Sequence, residues 1–258
     1  WLTGSDAIQQ VVNDYRAHRH IRKNIEAECY GHFCGQIYSQ LTSLQKSEVF
    51  FEVASKTQAC EIREMLWLRS PNPYAWMQRN RNYTISTAIM SMAGYTIGLG
   101  DRHPNNIMIQ RHTGRVIHID FGDSFEVAMK RIVYAERVPF RLTRMIVNAL
   151  DGGRVDGLFR NTCEDILWVL RNSQSSLIAL LEVFVHEPIF NIRDFQSNKS
   201  QSRAILERVA KKLSGADPIP IDSNIKVLNV SEQVSTLINI ASDPMEYSRH
   251  FLGWCPFW

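Results

Sequence analysis

The stretch that decides the fold is GLGDRHPNNIMIQRHTGRVIHIDFGD, which occupies Gly98–Asp123. It contains two short apolar runs, Ile107–Ile109 and Val116–Ile119, and the polar segment HTGR at 112–115 separates them. Two apolar runs joined by a short segment that contains glycine are typical of a β-hairpin. We therefore expect a small hairpin at this point of the chain.

Two oxygen-bearing side chains lie at the open end of this hairpin. Asn106 precedes the first strand and Asp120 follows the second, so an amide oxygen and a carboxylate would converge there. Magnesium prefers oxygen ligands and usually takes one or two from the protein, while nucleotide phosphates and water complete its octahedron. The arrangement predicts a site for Mg²⁺, or for Mn²⁺, that is shared with a nucleotide.

The spacing between Asp101 and Asn106 indicates the type of reaction. Four residues lie between Asp101 and Asn106, as in the protein-kinase catalytic loop H-R-D-x-x-x-x-N. Asp120-Phe121-Gly122 repeats the D-F-G element that holds the metal in those enzymes. Either motif alone is more often a surface segment or a turn, but their order around the hairpin favours phosphoryl transfer from ATP. Asp101 would then accept the proton of the attacking hydroxyl.

The order Asp101-Arg102-His103 is reversed from the usual His-Arg-Asp, and with it the chain resembles a known family. That family is the phosphatidylinositol-3-kinase-related protein kinases, and the similarity is to their target-of-rapamycin branch. The run Ser124–Met145 resembles the activation loop and following helix of that branch. The C-terminal run Gly253–Trp258 resembles its terminal FATC tail. The resemblance extends over essentially the whole chain.

The resemblance implies a mainly α-helical fold of the kinase C-lobe type with a small β-hairpin at the active site. Apolar spacing supports this class, because it predicts helices along most of the chain. Pro71 and Pro73 are expected to break the pattern between two of them. The predicted helices cover 6–15, 47–67, 83–97, the segment after Pro139, 163–170, 176–185, 202–213 and 231–241.

The same resemblance implies a division of the chain into a C-lobe, a linker and a tail. The C-lobe would begin at the hinge and contain a helical insertion that binds a β-propeller partner in this family. The insertion is equally suited by composition to form a self-packed helical pair. The boundaries are 1–213 for the C-lobe, 19–58 for the insertion, 98–106 for the catalytic loop, 120–144 for the activation loop and following helix, 214–227 for the linker and 228–258 for the FATC tail.

The resemblance also implies roles for individual side chains. His103 would hydrogen-bond near the transferred phosphoryl group, although it could instead brace the loop. Trp1 would stack on adenine, and Met108 and Ile119 would line the floor of the adenine pocket. By patterning alone, those last two residues are simply part of the hairpin core. The activation-loop residues of the site are Phe121, Gly122, Asp123 and Arg141.

The charges of the activation loop favour a protein substrate. Lipid kinases of this superfamily recognise an anionic head group through a basic loop, whereas the cations and anions here balance. A Ser/Thr hydroxyl on a protein is therefore the expected acceptor, with a phosphoinositide as the alternative. The cations are Lys130, Arg131 and Arg137, and the anions are Asp123, Glu126 and Glu136.

The chain has no Gly-rich loop of the G-x-G-x-x-G type and no V-A-I-K motif, both of which kinases use to hold ATP. We therefore expect an N-lobe supplied by the rest of a full-length kinase, and little activity from this chain alone. The alternative is a catalytically dead fragment that acts as a binding module. The apolar tail is expected to pack on the lobe or, if exposed, to contact a membrane surface. A tail disulfide is disfavoured because Ser248, Arg249 and His250 stand where the family has a second cysteine near Cys255.

Composition restricts the remaining function classes. The formal charge of +3 and the lack of a basic tract argue against a nucleic-acid partner. No apolar run approaches the roughly 18 residues that span a bilayer, and the first ten residues resemble no secretory signal. The five cysteines are scattered without C-x-x-C spacing, which fits a reducing compartment. We expect a cytoplasmic protein, with endomembranes as a further location.

Overall fold

The computed structural model describes residues 42–132, 134–186, 199–216, 227–250 and 254–256. Trp1, the helix predicted at 6–15 and most of the insertion and linker lie outside these ranges. The described part is mainly α-helical, with one two-stranded antiparallel sheet, as expected. None of its helices is long and apolar enough to cross a membrane.

The helices and strands are numbered in chain order. The helices are α1 (Ser43–Lys56), α2 (Glu61–Leu68), α3 (Pro73–Ile97), α4 (Arg144–Ala149), α5 (Leu158–Asn172), α6 (Gln174–His186), α7 (Lys199–Ser214), α8 (Val230–Ala241) and α9 (Pro244–Ser248). The strands are β1 (Ile107–Ile109) and β2 (Val116–His118). Short 3₁₀ turns occupy Pro104–Asn106, Ala128–Lys130 and Asp151–Gly153.

The long helix α3 delivers the chain to the active-site region, and its two ends show why it has this length. Asn72 caps its first turn by accepting a 2.8 Å hydrogen bond from the Ala75 N–H. Pro73 stands at its first position, where a missing N–H is harmless. The helix ends at Gly98, whose φ of 62° is left-handed and suits a residue without a side chain. The catalytic loop begins directly after this turn.

Several predicted helix boundaries were wrong, most clearly in two places. The helix predicted from Tyr83 begins ten residues earlier in the sequence, since Pro73 starts it rather than preventing it. The helix predicted over 47–67 is two helices, α1 and α2, because the chain leaves the helical conformation between Thr57 and Cys60. The short helix α9 was not predicted.

The main core lies around α3. Its buried face contacts α5, which in turn packs against α8, while α2 and the hairpin cover the remaining sides. Burying each large apolar side chain contributes about 1.5–3 kcal/mol relative to exposure. Buried members of this core include Tyr83, Met92, Phe159, Leu167 and Leu237.

A second core joins the beginning and the end of the described chain. Val49 and Phe50 of α1 pack in one cluster with Tyr247 and Trp254 from the C-terminal region. Trp254 is only 4% exposed, so this part of the tail packs on the lobe. The apolar face of α1 is therefore packed within the chain. This helix belongs to the segment 19–58 that was expected to bind a β-propeller, so that face is not available to such a partner.

The hairpin forms at the expected residues. The strand register pairs Ile107 with His118, Met108 with Ile117, and Ile109 with Val116. The pairing extends one step further, because the Ile119 N–H donates a 3.0 Å hydrogen bond to the Asn106 carbonyl. Asn106 and the residue before Asp120 are thus neighbours across the ladder.

Candidate active site

The backbone of Asp101 is held on both sides. Its φ of 57° lies in the left-handed region, which is uncommon for a residue other than glycine. The Asp101 N–H donates a 2.8 Å hydrogen bond to Oε1 of Glu136. The Asp101 carbonyl accepts a 2.9 Å hydrogen bond from Nδ2 of Asn106. The side chain of Asp101 remains 33% exposed, so its carboxylate stays accessible to a substrate.

Two cationic or ionisable groups face the Asp101 carboxylate. Nε2 of His103 lies 3.9 Å from its Oδ2, and Nη1 of Arg131 lies 3.9 Å from its Oδ1. Nδ1 of His103 accepts a 3.2 Å hydrogen bond from the Asn105 N–H, so in the neutral ring the proton is on Nε2. The ring of His103 thus braces the loop with one nitrogen and turns the other toward the Asp101 carboxylate.

Arg102 connects the catalytic loop to the end of the hairpin. Its buried guanidinium donates 2.7 Å hydrogen bonds to the carbonyls of Gly100 and Ile119, and a further one to the Asp120 carbonyl. A longer contact of 3.5 Å reaches the Asn106 carbonyl. The acceptors in these contacts are all backbone carbonyls. This arrangement holds the two expected metal-binding residues in one frame.

Asn106 and Asp120 carry oxygens of the type that Mg²⁺ prefers. The buried Asn106 commits its amide nitrogen to Asp101, which leaves its amide oxygen for another partner. The exposed Asp120 has a φ of 58°, and its Oδ1 accepts a 3.1 Å hydrogen bond from the Gly122 N–H. Two hard oxygen donors beside open solvent fit a magnesium ion that shares its shell with phosphates and water.

The outer face of the hairpin carries the apolar residues expected under adenine. Side chains alternate along a strand, and Ile107 and Ile109 pack against the core, so Met108 points to the opposite face. Its cross-strand partner Ile117 and the 37% exposed Ile119 share that face. Sequence analysis named Met108 and Ile119 but missed Ile117. Side chains of a strand alternate between its two faces, so Ile117 could have been assigned to the same face as Ile119. Trp1 lies outside the described residues.

The activation loop starts close to the catalytic loop. The Gly100 N–H donates a 2.9 Å hydrogen bond to the Asp123 carbonyl, and the Asp123 carboxylate pairs with Arg131. Phe121 is largely exposed, and a Cβ on Gly122 would lie 3.2 Å from Oδ1 of Asp120. The first part of the loop is therefore fixed through its backbone.

Arg141 links the catalytic loop to the tail. The residue is 5% exposed, and its Nη1 donates a 2.6 Å hydrogen bond to the Trp254 carbonyl. Its Nη2 donates a 2.7 Å hydrogen bond to the Cys255 carbonyl, and Nη1 also lies 3.4 Å from the Arg102 carbonyl. Sequence analysis placed Arg141 in the activation-loop region but gave no sign of these long-range partners.

Glu136 is a site residue that sequence analysis missed. It was counted only as one anion of a balanced loop, yet it is 7% exposed and contacts the backbone of Asp101. Burial raises the pKa of Glu136 to about 7. No local pattern marks a carboxylate whose partner is 35 residues away in the sequence.

Comparisons with known proteins identify the family. The family described as Phosphatidylinositol 3- and 4-kinase matches residues 1–194, and the FATC domain matches residues 227–258. The Target of rapamycin homolog of Caenorhabditis elegans is 39% identical over 284 residues, which cover 100% of this chain and 10% of the relative. The Serine/threonine-protein kinase mTor of Drosophila melanogaster is 34% identical over 316 residues, covering 100% and 13%.

More distant relatives agree with these matches. The Serine-protein kinase ATM of Sus scrofa is 32% identical over 295 residues, covering 98% of this chain and 9% of the relative. The solved FAT and kinase domain of CtTel1 superposes with a TM-score of 0.77 at 30% identity, covering 93% of this chain and 16% of that one. The chain spans about a tenth of the length of these curated relatives. It belongs to the phosphatidylinositol 3- and 4-kinase family, its residues 227–258 match the FATC domain, and the relatives that it resembles include target-of-rapamycin kinases.

Proposed function

We propose that this chain is the C-lobe and FATC tail of a Ser/Thr protein kinase that uses ATP with Mg²⁺, or Mn²⁺. The observation that carries the proposal is the frame around Arg102, which ties the loop of Asp101 and Asn106 to the carbonyl of Asp120. Phosphoryl transfer needs positioned oxygens more than covalent chemistry from the protein. A rigid frame that carries a base and two metal-binding side chains suits that requirement.

Each polar residue of the site has a proposed role. Asp101 orients the attacking hydroxyl and accepts its proton, while Asn106 and Asp120 hold the metal. The metal, when bound, neutralises charge on the phosphates. Nε2 of His103, which lies on the Asp101 side of the ring, donates a hydrogen bond near the transferred phosphoryl group. Because these groups share one loop and one hairpin, a small displacement of either would misalign them.

The nucleotide base is proposed to lie on the outer face of the hairpin. Met108, Ile117 and Ile119 form its apolar floor, and Trp1 stacks on the base from the hinge. Offset stacking of flat rings and burial of apolar surface both favour this arrangement. Replacing Ile117 with a charged residue would therefore raise the KM for ATP.

A protein acceptor is favoured over a lipid because Arg131 and Arg137, two of the three loop cations, lie beside carboxylates. Arg131 pairs with Asp123 and lies near Asp101, while Glu126 of the same loop pairs with Arg208 and Lys212. A basic loop that captured an inositol phosphate would need cations free of such partners. The charge balance supports Ser/Thr hydroxyls as acceptors, in nutrient and growth signalling as for target-of-rapamycin kinases.

The wider setting is proposed from the relatives. The full-length kinase would supply an N-lobe, so residues 1–258 alone would be nearly inactive. We retain the proposed domain limits, with the insertion at 19–58 as the site of a β-propeller subunit. Within its described part, Leu44 and Phe51 are exposed and would be available to that partner. We place the protein in the cytoplasm and at endomembranes, where the tail would contact the membrane surface peripherally.

The decisive experiment compares acceptors with the full-length kinase that contains this chain. With Mg²⁺ and labelled ATP, we expect transfer to a Ser/Thr peptide and little to phosphatidylinositol vesicles. Asp101→Asn should reduce transfer at least about 100-fold, since a general base contributes about 10²–10⁴-fold. Asp156→Asn is the matched control, because Asp156 is exposed and pairs only with Arg160 among the described residues.

Three outcomes would contradict parts of the proposal. Transfer to lipid but not to peptide would replace the protein-kinase assignment with the lipid alternative. Transfer to neither acceptor would favour the binding-module alternative. An isolated 258-residue chain that phosphorylates peptide, and loses this activity in Asp101→Asn, would show that the expected inactivity was wrong.

A further inference from the structure

We propose that Glu136 is a positioning residue for phosphoryl transfer, whose carboxylate in the activation loop holds the backbone of Asp101 in its reactive conformation. The inference rests on the proposed function, since it concerns the same site. Glu136 does not touch the transferred group. Glu136 acts on Asp101 by accepting a hydrogen bond from its backbone N–H. The side chain of Asp101 is the group that accepts the incoming proton.

The conformation of Asp101 is one that needs support. A left-handed φ is uncommon for a residue with a side chain, although aspartate adopts it more often than most, and the contacts around Asp101 hold it there. The Glu136 carboxylate satisfies the N–H at 2.8 Å, and Asn106 satisfies the carbonyl at 2.9 Å. Without the first contact, a partly buried N–H would lose its partner and the backbone could relax toward the ordinary right-handed region.

Glu136 is itself fixed against the catalytic loop. Its own N–H donates a 3.1 Å hydrogen bond to the Ala128 carbonyl. A Cβ on Gly100 would lie 2.3 Å from the Cβ of Ala128 and 3.3 Å from Oε2 of Glu136. The activation loop can therefore approach the backbone before Asp101 only because residue 100 has no side chain. The position of the Glu136 carboxylate therefore depends on the conformation of the activation loop.

Burial and the surrounding charged groups together set the pKa of Glu136. Asp101 opposes its ionisation and Arg131 favours it, while Arg102 and Arg141 also lie within electrostatic reach. Burial outweighs these effects and raises the pKa of Glu136 to about 7. A carboxylate is a stronger acceptor for the Asp101 N–H than the neutral acid. Turnover should therefore decline as the pH falls below about 7.

The test uses the full-length kinase with Glu136→Leu and Glu136→Gln. Leucine removes the acceptor, so we expect kcat to fall about 10- to 100-fold with the KM values for ATP and peptide little changed. Glutamine keeps an acceptor oxygen without a charge, so kcat should stay within about threefold of wild type. The decline in kcat below pH 7 should disappear in the glutamine variant, because that side chain does not titrate.

A matched control separates positioning from general loss of stability. Glu164 is a partly buried carboxylate of α5 that accepts a 2.9 Å hydrogen bond from the Ser231 hydroxyl and takes no part in the contacts of Asp101 or Arg141 described above. Glu164→Leu should leave kcat and its pH profile unchanged even where it lowers the unfolding temperature. Unfolding temperatures are measured for every variant alongside the kinetics.

Each outcome decides a different claim. A leucine variant with wild-type kcat, or a glutamine variant that keeps the decline below pH 7, would overturn the role of Glu136 and leave the proposed function intact. If the leucine variant fails to fold, the pH profile of the glutamine variant still decides. A wild-type kinase that transfers phosphate to no acceptor would overturn the proposed function and this role together.

Discussion

The guanidinium of Arg141 lies 4.4 Å from the centre of the Trp254 ring and donates a hydrogen bond to the backbone carbonyl of the same residue. One side chain thus holds a tail residue by its ring and by its main chain. Nη1 of Arg141 also lies near the Arg102 carbonyl, so Arg141 links the tail to the catalytic loop. The FATC region is therefore part of the support of the site.

Arg141→Lys should weaken both the tail and the activity. Lysine keeps the charge but cannot reach two carbonyls with a planar fork or stack on the indole in the same way. We expect a loss of about 2–4 kcal/mol in local stability and at least a tenfold loss of kcat. Hydrogen exchange of the α9 amides and steady-state kinetics measure the two effects. Arg137→Lys, a change at an exposed arginine nearby, should alter neither.

Gly100→Ala should displace the activation loop. The new methyl would lie 2.3 Å from the Cβ of Ala128, a distance that requires one backbone to move. We expect a loss of at least about 2 kcal/mol in stability and a large fall in kcat. Gly94→Ala, within α3, is the matched change, because its Cβ would meet the Leu99 side chain at 3.7 Å, an ordinary contact. That variant should be neutral or up to about 1 kcal/mol more stable.

Arg102→Lys should weaken metal binding more than nucleotide-base binding. A lysine cannot bridge the carbonyls of Gly100, Ile119 and Asp120 together, so the hairpin end would separate from the catalytic loop. We expect the Mg²⁺ concentration for half-maximal activity to rise about tenfold. An unchanged magnesium dependence would show that the frame does not set the metal site. Binding of free adenosine should be little affected.

Acid should loosen the packing of the tail through His250. Burial lowers the pKa of this histidine to about 4, below its ordinary value, and its ring packs 4.6 Å from that of Trp254. A lowered pKa means that the unfolded state binds the proton first, so stability is full above about 6.5 and is lost as the pH falls toward 4. The loss attributable to this residue is of the order of 2–3 kcal/mol.

The His250→Phe variant tests this pH dependence. It keeps a ring in place but cannot titrate, so exchange protection of α9 should fall less steeply between pH 6.5 and 4.5 than in wild type. A remaining slope is expected, because burial also lowers the pKa of His118 to about 4. Parallel curves for the variant and the wild type would contradict the assignment to His250.

The sequence predicted those parts of the fold that depend on local patterns. The hairpin followed from two apolar runs around a glycine turn, and helix α8 was predicted within one residue of its observed start. Helix α3 was shortened because Pro73 was taken as a break, although proline is well tolerated at a first helical position. Boundaries of this kind depend on capping geometry more than on periodicity.

The parts of the site that escaped prediction are long-range polar contacts. The Glu136 carboxylate meets a backbone N–H 35 residues away, and Arg141 meets carbonyls more than a hundred residues away. Backbone donors and acceptors are the same at every residue, so no sequence pattern marks these partners. The motif residues Asp101, Asn106 and Asp120 could be proposed from the sequence because their spacing is short and their chemistry is specific.

The position of Trp254 and Cys255 also has a consequence for how the protein is made. A chain that emerges from the ribosome from its N-terminal end exposes Arg141 long before the two carbonyls that bind it, which lie 113 and 114 residues later. Until then the guanidinium of Arg141 lacks both carbonyls, and the apolar face of α1 lacks Tyr247 and Trp254. Exposed groups of this kind favour misfolding. We therefore expect products truncated before Trp254 to fold less well than the full chain, because Arg141 would lack both of these acceptors.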